Sequence, residues 1–147
     1  MTTAVWGWSD RLVSKYEPMD ETHQEFVSLC AALSEAKPEN FLESLDALIA
    51  HTLVHFEQEN QWMREHSFPP IGCHQKEHDA VLELMQEVRR TIAAGDTELG
   101  PRLAEELPHW FEHHVDTMDN MLARFMMSVT PAVSLTDAEP QTTAQSV

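Results

Sequence analysis

Apolar residues recur along this chain at alternating steps of three and four, the spacing of one helix face. Met19, His23, Phe26, Cys30 and Leu33 share one such face. Phe41, Leu45, Leu48, Thr52, His55, Glu59 and Trp62 share a second. A third reads His74, His78, Val81, Met85, Val88 and Ile92, and a fourth reads Leu103, Leu107, Trp110, His114, Met118, Met121 and Phe125. Pro18 suits a first helical turn. Pro38 and the pair Pro69–Pro70 separate the first three stripes, and Gly95 ends the third. The pattern predicts helices from near Pro18 to before Pro38, from about Pro38 to His66, from about Ile71 to Ala94, and from between Thr97 and Pro101 to about Met127. Pro108 removes a hydrogen bond and crowds the preceding turn. It predicts a kink near Ala104–Pro108, or else two helices broken there.

Residues 1–17 carry Trp6, Trp8 and Tyr16 without helical period. They read as an extended arm held to the helices by its aromatics. Residues 128–147 are rich in Thr, Ser, Ala, Pro and Gln and lack periodicity, so a disordered tail is expected there. Glycine is scarce, with four in the chain, and no run alternates as a strand would. Short connections between four helices predict an all-α, antiparallel up-down-up-down four-helix bundle over residues 1–127 with an N-terminal extended arm.

The polar members of the stripes change the picture. His55 and Glu59 lie i, i+4 at one edge of the Pro-Pro break, and His74 and His78 lie i, i+4 at the other. Residues four apart stand one above the other on a helix. Either pair alone is commonplace on a solvated helix face. These pairs, with His23 and His114, occupy core positions instead. A buried carboxylate such as Glu59 is costly unless paired, hydrogen-bonded or bound to metal. In an antiparallel bundle the start of helix one, the end of helix two, the start of helix three and the second half of helix four fall at one level. All six residues therefore share a layer, which points to a polynuclear metal site rather than unrelated core histidines. Imidazole suits iron, zinc and copper, and a bridging carboxylate can hold two ions. The Glu-x-x-His spacing of carboxylate-rich di-iron bundles occurs here within a helix only at Glu106–His109. The set is imidazole-rich instead, which suits reversible binding of a small molecule.

Charge and length narrow the class. The 147 residues make about one domain, and nine Lys+Arg against 25 Asp+Glu give a net charge of −16 with neutral histidines. That balance argues against nucleic acid and anionic membrane surfaces as partners. No apolar run approaches the ~20 residues of a membrane span. The opening MTTAVWGWSDR lacks a signal-peptide pattern. Cys30 and Cys73 read as thiols of a reducing compartment, Cys30 in the core and Cys73 partly buried, so a cytoplasmic protein is expected.

The sequence resembles a hemerythrin, of the bacterial kind, over about Trp8 to Phe125. The segments that carry the likeness are WSD at Trp8–Asp10, MDETHQEF at Met19–Phe26, HFEQE at His55–Glu59, HQKEH at His74–His78 and HVDTMD at His114–Asp119. Each is weak alone; in this order and at these separations they are specific. The resemblance implies an oxo- or hydroxo-bridged di-iron centre. His74, His78 and His114 would hold one iron, and His23 and His55 the other, with an open position for O2. Glu59 and Asp119 would bridge. Asp119 rests on the resemblance alone: five residues after His114, it stands about 140° round a regular helix from it. The resemblance also implies that Phe26 and Trp110 lie near the O2 side; with Phe56 they form the expected O2 pocket. Two departures stand out. Asn60 replaces a common acid after the bridging Glu, and Lys15 replaces a usual glycine in the arm.

Four histidines remain. His51, one turn before His55, is a rival ligand or a flanking group. His66 reads as a helix C-terminal residue, and His109 and His113 as surface or outer groups. The function implied is reversible O2 binding, as carrier, store or sensor; a sensor would need a separate signalling or redox partner. The alternative is a di-iron enzyme reducing nitric oxide or peroxide at the same site. A third reading is a metal-free bundle that mediates interactions.

Overall fold

The computed structural model describes residues 6–130. The tail expected to be disordered lies, from 131 onward, outside the described residues. The main elements are α1 (Glu17–Glu35), α2 (Phe41–Glu65), α3 (Ile71–Ala93), α4 (Leu99–His114) and α5 (Asn120–Val129). Short 3-10 turns at Asp10–Leu12 and Pro38–Asn40 precede α1 and α2, and a π turn at Val115–Asp119 joins α4 to α5. The α4–α5 rod is thus one long fourth helix, two residues longer than expected. Helix α1 packs on α2, α2 on α3, α3 on α4 and α1 on α4. That closes the antiparallel four-helix bundle.

Two sharp reversals hold neighbouring helices side by side, and both are Schellman motifs. After α3, Gly95 takes φ +105, its N–H bonds Ile92 O at 3.0 Å, and Asp96 N–H bonds Thr91 O at 2.9 Å. After α2, Ser67 takes the left-handed role at φ +54. Its N–H reaches Arg64 O at 3.4 Å, and Phe68 N–H reaches Met63 O at 2.9 Å. Phe68 is then buried against Met63, the apolar contact that accompanies such caps. His66 sits at the C-cap of α2, as expected of a helix-terminal histidine.

The stripes on α1, α2 and α3 turn inward as the sequence predicts, with Phe41, Trp62 and Ile92 only partly covered and Met63 fully buried beside Trp62. The fourth stripe requires correction. Helix α4 continues through Pro108 without a break, and the stripe changes register at the π turn. An i→i+5 turn accommodates one extra residue, so every later position shifts by one. The expected Met118, Met121 and Phe125 give way to buried Asp119, Leu122 and Met126, and Met121 is 49% exposed. Phe111 rather than Trp110 is the fully buried aromatic before His114.

The arm packs as expected. Trp6 and Trp8 lie against the main core, and Tyr16 meets Trp62 edge-on at 5.3 Å. The arm turns into α1 around Asp20. Its carboxylate accepts from Ser14 N–H at 2.8 Å, Ser14 Oγ at 2.7 Å and Lys15 N–H at 3.1 Å. Lys15 takes φ +73 there, a left-handed conformation that favours glycine. This is the position where the resemblance implies a glycine. Two apolar clusters result. The larger fills the bundle from Leu12 and Phe26 through Leu45, Met85 and Leu107. The smaller, Met19, Met63, Phe68, Leu122, Ala123 and Met126, closes the other end. A polar layer lies between them.

Candidate metal centre

That layer contains His23, His55, Glu59, His74, His78, His114 and Asp119, each 2% exposed or less. The helix stripes deliver six of them directly. The π turn delivers the seventh, because a wide turn brings residues five apart back to one face. His114 Nε2 consequently lies 3.1 Å from Asp119 Oδ1. The obstacle set by a regular helix is removed by a local change of helix type.

The two carboxylates divide the five rings by oxygen. Glu59 Oε1 faces His78 Nε2 at 3.2 Å and His74 Nε2 at 3.5 Å. Its other oxygen, Oε2, faces His55 Nε2 at 3.0 Å and His23 Nε2 at 3.3 Å. Asp119 repeats the division: Oδ1 faces His74 at 3.0 Å and His114, and Oδ2 faces His23 at 3.2 Å. The donors form two groups able to hold a metal ion. One is Glu59, His74, His78, His114 and Asp119; the other is His23, His55 and Glu59. His51 belongs to neither. Its ring lies 5.4 Å from that of His55 and 6.4 Å from Phe26, with Nδ1 3.6 Å from Glu25.

The polar layer is satisfied poorly by protein alone. Glu59 Oε1, both Asp119 oxygens and the Nε2 atoms of His74, His78 and His114 are buried without a hydrogen-bond partner. Converging orphaned donors in a dry layer fit metal ions, and this donor set of five imidazoles and two carboxylates fits iron. The electrostatics agree. Burial works against ionising Glu59 and Asp119, but the surrounding imidazoles outweigh it and hold both carboxyls well below their ordinary range. Burial likewise works against protonating His23 and His74, yet the carboxylates of Asp119 and Glu59 raise both to about 9. For His78 burial wins and its pKa falls.

Outer groups orient some of the rings. His78 Nδ1 bonds Asn60 Oδ1 at 3.1 Å, and His114 Nδ1 bonds Glu77 Oε1 at 2.7 Å. With the ring donating, each bond fixes the tautomer and leaves Nε2 free to ligate. Asn60 can accept as the replaced acid would, with no added charge. Glu77 was not singled out by the sequence, since its partner lies 37 residues away; its only signal is an acid inside HQKEH.

The expected O2 pocket is divided. Phe26 lies 5.9 Å from His55. Phe56 is edge-on to His55 at 5.2 Å and stacked on His78 at 3.9 Å. Trp110 stacks on His114 at 4.7 Å, on the three-histidine side. The ring that instead covers His23 is Phe111, 5.0 Å from it and 4.5 Å from Phe26. His109 and His113 are exposed. Cys30 is buried, its thiol pushed up to about 12 by burial. Cys73 is exposed rather than partly buried, because it precedes His74 and points off the core face.

Fold and layer together define a four-helix bundle with a buried layer of histidines and carboxylates able to hold metal ions. The family model for the hemerythrin HHE cation binding domain matches residues 14–126. A bacteriohemerythrin of Ralstonia nicotianae is 48% identical over 122 residues, 83% of this chain and 89% of its own. One of Aquifex aeolicus is 30% identical over 112 residues, 72% of this chain and 86% of its own. The crystal structure of a wild-type hemerythrin superposes with a TM-score of 0.76 at 19% identity, covering 82% of this chain and 97% of that one. The chain belongs to the hemerythrin family, whose centre is di-iron and whose ligand is O2.

Proposed function

We propose that this chain binds O2 reversibly at two irons held by His74, His78 and His114 on one side and His23 and His55 on the other, with Glu59 and Asp119 shared. The observation that carries the reading is the division of each carboxylate, one oxygen toward each ring set. The pair side offers one imidazole fewer, so an iron held there would have room for a small ligand. When bound, the irons supply the electrons on which reversible O2 binding depends. The chain's own residues do the rest. Phe26 and Phe111 keep water from the pair side, which limits the protonation that ends reversible binding. Glu77 and Asn60 hold their rings in register. The two apolar clusters keep the layer dry from both ends.

No helix among the described residues is long and apolar enough to cross a membrane, and a cytoplasmic carrier, store or sensor is the setting we infer. Iron analysis tests the core of the reading: full occupancy is expected in the parent, with loss in Glu59→Ala and His78→Ala. Reduced protein should then take up O2 and release it under vacuum with its spectrum restored. Steady consumption of nitric oxide or peroxide with a reductant, without a reversible O2 spectrum, would make the protein an enzyme instead.

A further inference from the structure

Two rings stand in file between His23 and the surface of the α4 side. Phe111, 1% exposed, meets His23 edge-on. Outside it, Trp6 meets Phe111 edge-on at 6.4 Å, nearly perpendicular. The indole N–H donates to Glu112 Oε2 at 2.7 Å. Glu112 is the residue after Phe111, so this bond pins the indole over the ring it covers. Trp6 belongs to the arm, not to a helix. The arm is tied to α1 through Asp20 and to the π turn through Arg11 and Asp116, at 3.0 Å. It therefore spans the seam between α1, which carries His23, and the rod that carries His114 and Asp119. The Arg11–Asp116 pair is about half exposed at each end, and such pairs hold weakly. The seat of Trp6 thus depends on one hydrogen bond and its apolar contacts. A segment so held opens locally without unfolding the helices beneath it.

We propose that Trp6 is a hinged cover over the His23–His55 side and determines how fast small ligands reach it. It acts from outside the donor set, through Phe111, by excluding water and solutes from the seam. This rests on the reading that ligands bind on the pair side. Lifting the cover exposes Phe111 and the seam but leaves all seven donors in place, so access changes while metal content does not.

The test uses the iron-loaded, oxidised protein and azide as the probe, by stopped flow, for the parent, Trp6→Ala, Trp6→Phe and Trp8→Ala. Trp6→Ala should take up azide faster by roughly ten-fold, since a local opening no longer has to precede entry. Trp6→Phe keeps a ring without the donor and should fall between. Trp8→Ala removes an arm tryptophan that makes no ring contact with Phe111, and should stay near the parent rate. Iron content should be full in all four. Amide exchange at Leu12 and Val13, whose N–H groups bond Ser9 O and Asp10 O within the arm, should quicken in Trp6→Ala, while exchange across His23–Val27 in α1 stays at the parent rate. Unchanged azide rates in both Trp6 variants, with iron retained, would overturn the proposal. So would equal acceleration by Trp8→Ala, which would mean general loosening of the arm. A parent without iron would instead sink the di-iron reading, and the two failures are told apart by metal analysis before any kinetics.

Discussion

At the scale of single residues, the layer's chemistry depends on which ring meets which oxygen. In the iron-free protein His23 and His74 have pKa values raised from 6.5 to about 9. Their contribution to stability is fully present below 6.5 and is lost as pH rises through 9. Glu59 and Asp119 are depressed below their ordinary 4.5 and 3.8. Theirs is present above those values and is lost as pH falls through the lowered ones. Iron-free protein should therefore melt at lower temperature at pH 10 than at pH 6. Iron-loaded protein, whose rings are already deprotonated by ligation, should show little of that alkaline loss. An alkaline loss of equal size in both forms would contradict the assignment. A second expectation separates the two expected pocket aromatics. Phe26→Ala and Trp110→Ala should each cost stability, up to roughly 3–5 kcal/mol for a fully buried aromatic. Only Phe26→Ala, beside His55, should speed autoxidation. Trp110, stacked on His114, should not, and Phe41→Ala at the far end of the bundle serves as control. His23, His55, Glu59, His74, His78, His114 and Phe26 were legible as core or ligand types from periodicity, and Asp119 only from the resemblance; the roles of Phe111 and Glu77 were not legible. Those two depend on contacts across helices.

At the scale of elements, the π turn decides the site. It brings Asp119 back to His114 and shifts the buried face of α5 by one residue. Inserting an alanine after Thr117 should rotate Asp119 and everything beyond it by about 100°. Iron content should fall sharply while helix content by circular dichroism is kept. Deleting Thr117 leaves Asp119 four residues from His114, still on one face, and should retain iron. Loss of iron in the deletion together with its retention in the insertion would reverse the argument. The arm's turn carries a smaller, separable cost. Lys15 occupies a left-handed conformation, so Lys15→Gly should raise stability by about 0.5–1 kcal/mol, the relief of backbone strain less the entropy glycine adds to the unfolded chain. Thermal melting in the iron-loaded protein measures it, and a lower melting temperature would show that the lysine side chain contributes more than its backbone costs. A π turn leaves no mark in the spacing of apolar residues until a partner helix shows which positions are buried. That is why Met118, Met121 and Phe125 looked like the continuing stripe.

At the scale of the whole molecule, both apolar clusters and all seven candidate donors lie between Leu12 and Met126. Truncation after Thr130 should therefore leave iron content and O2 binding unchanged, and a large drop in either would place a needed contact beyond that residue. Sequence alone determined the helix count, three of the four buried faces, the direction of each helix and hence the level at which His23, His55, Glu59, His74, His78 and His114 meet. It could do so because helical periodicity and proline or glycine breaks are local, and antiparallel connection converts position along each helix into height in the bundle. Only the tertiary structure decided which carboxylate oxygen faces which ring, that Asn60 and Glu77 orient His78 and His114, that Phe111 rather than Trp110 covers His23, and that Asp119 reaches the layer. These are distances between residues far apart in the chain, set by how four helices rotate about their own axes when packed. One extra residue in a turn changes that rotation by about 100°, a difference no single helix's pattern reveals.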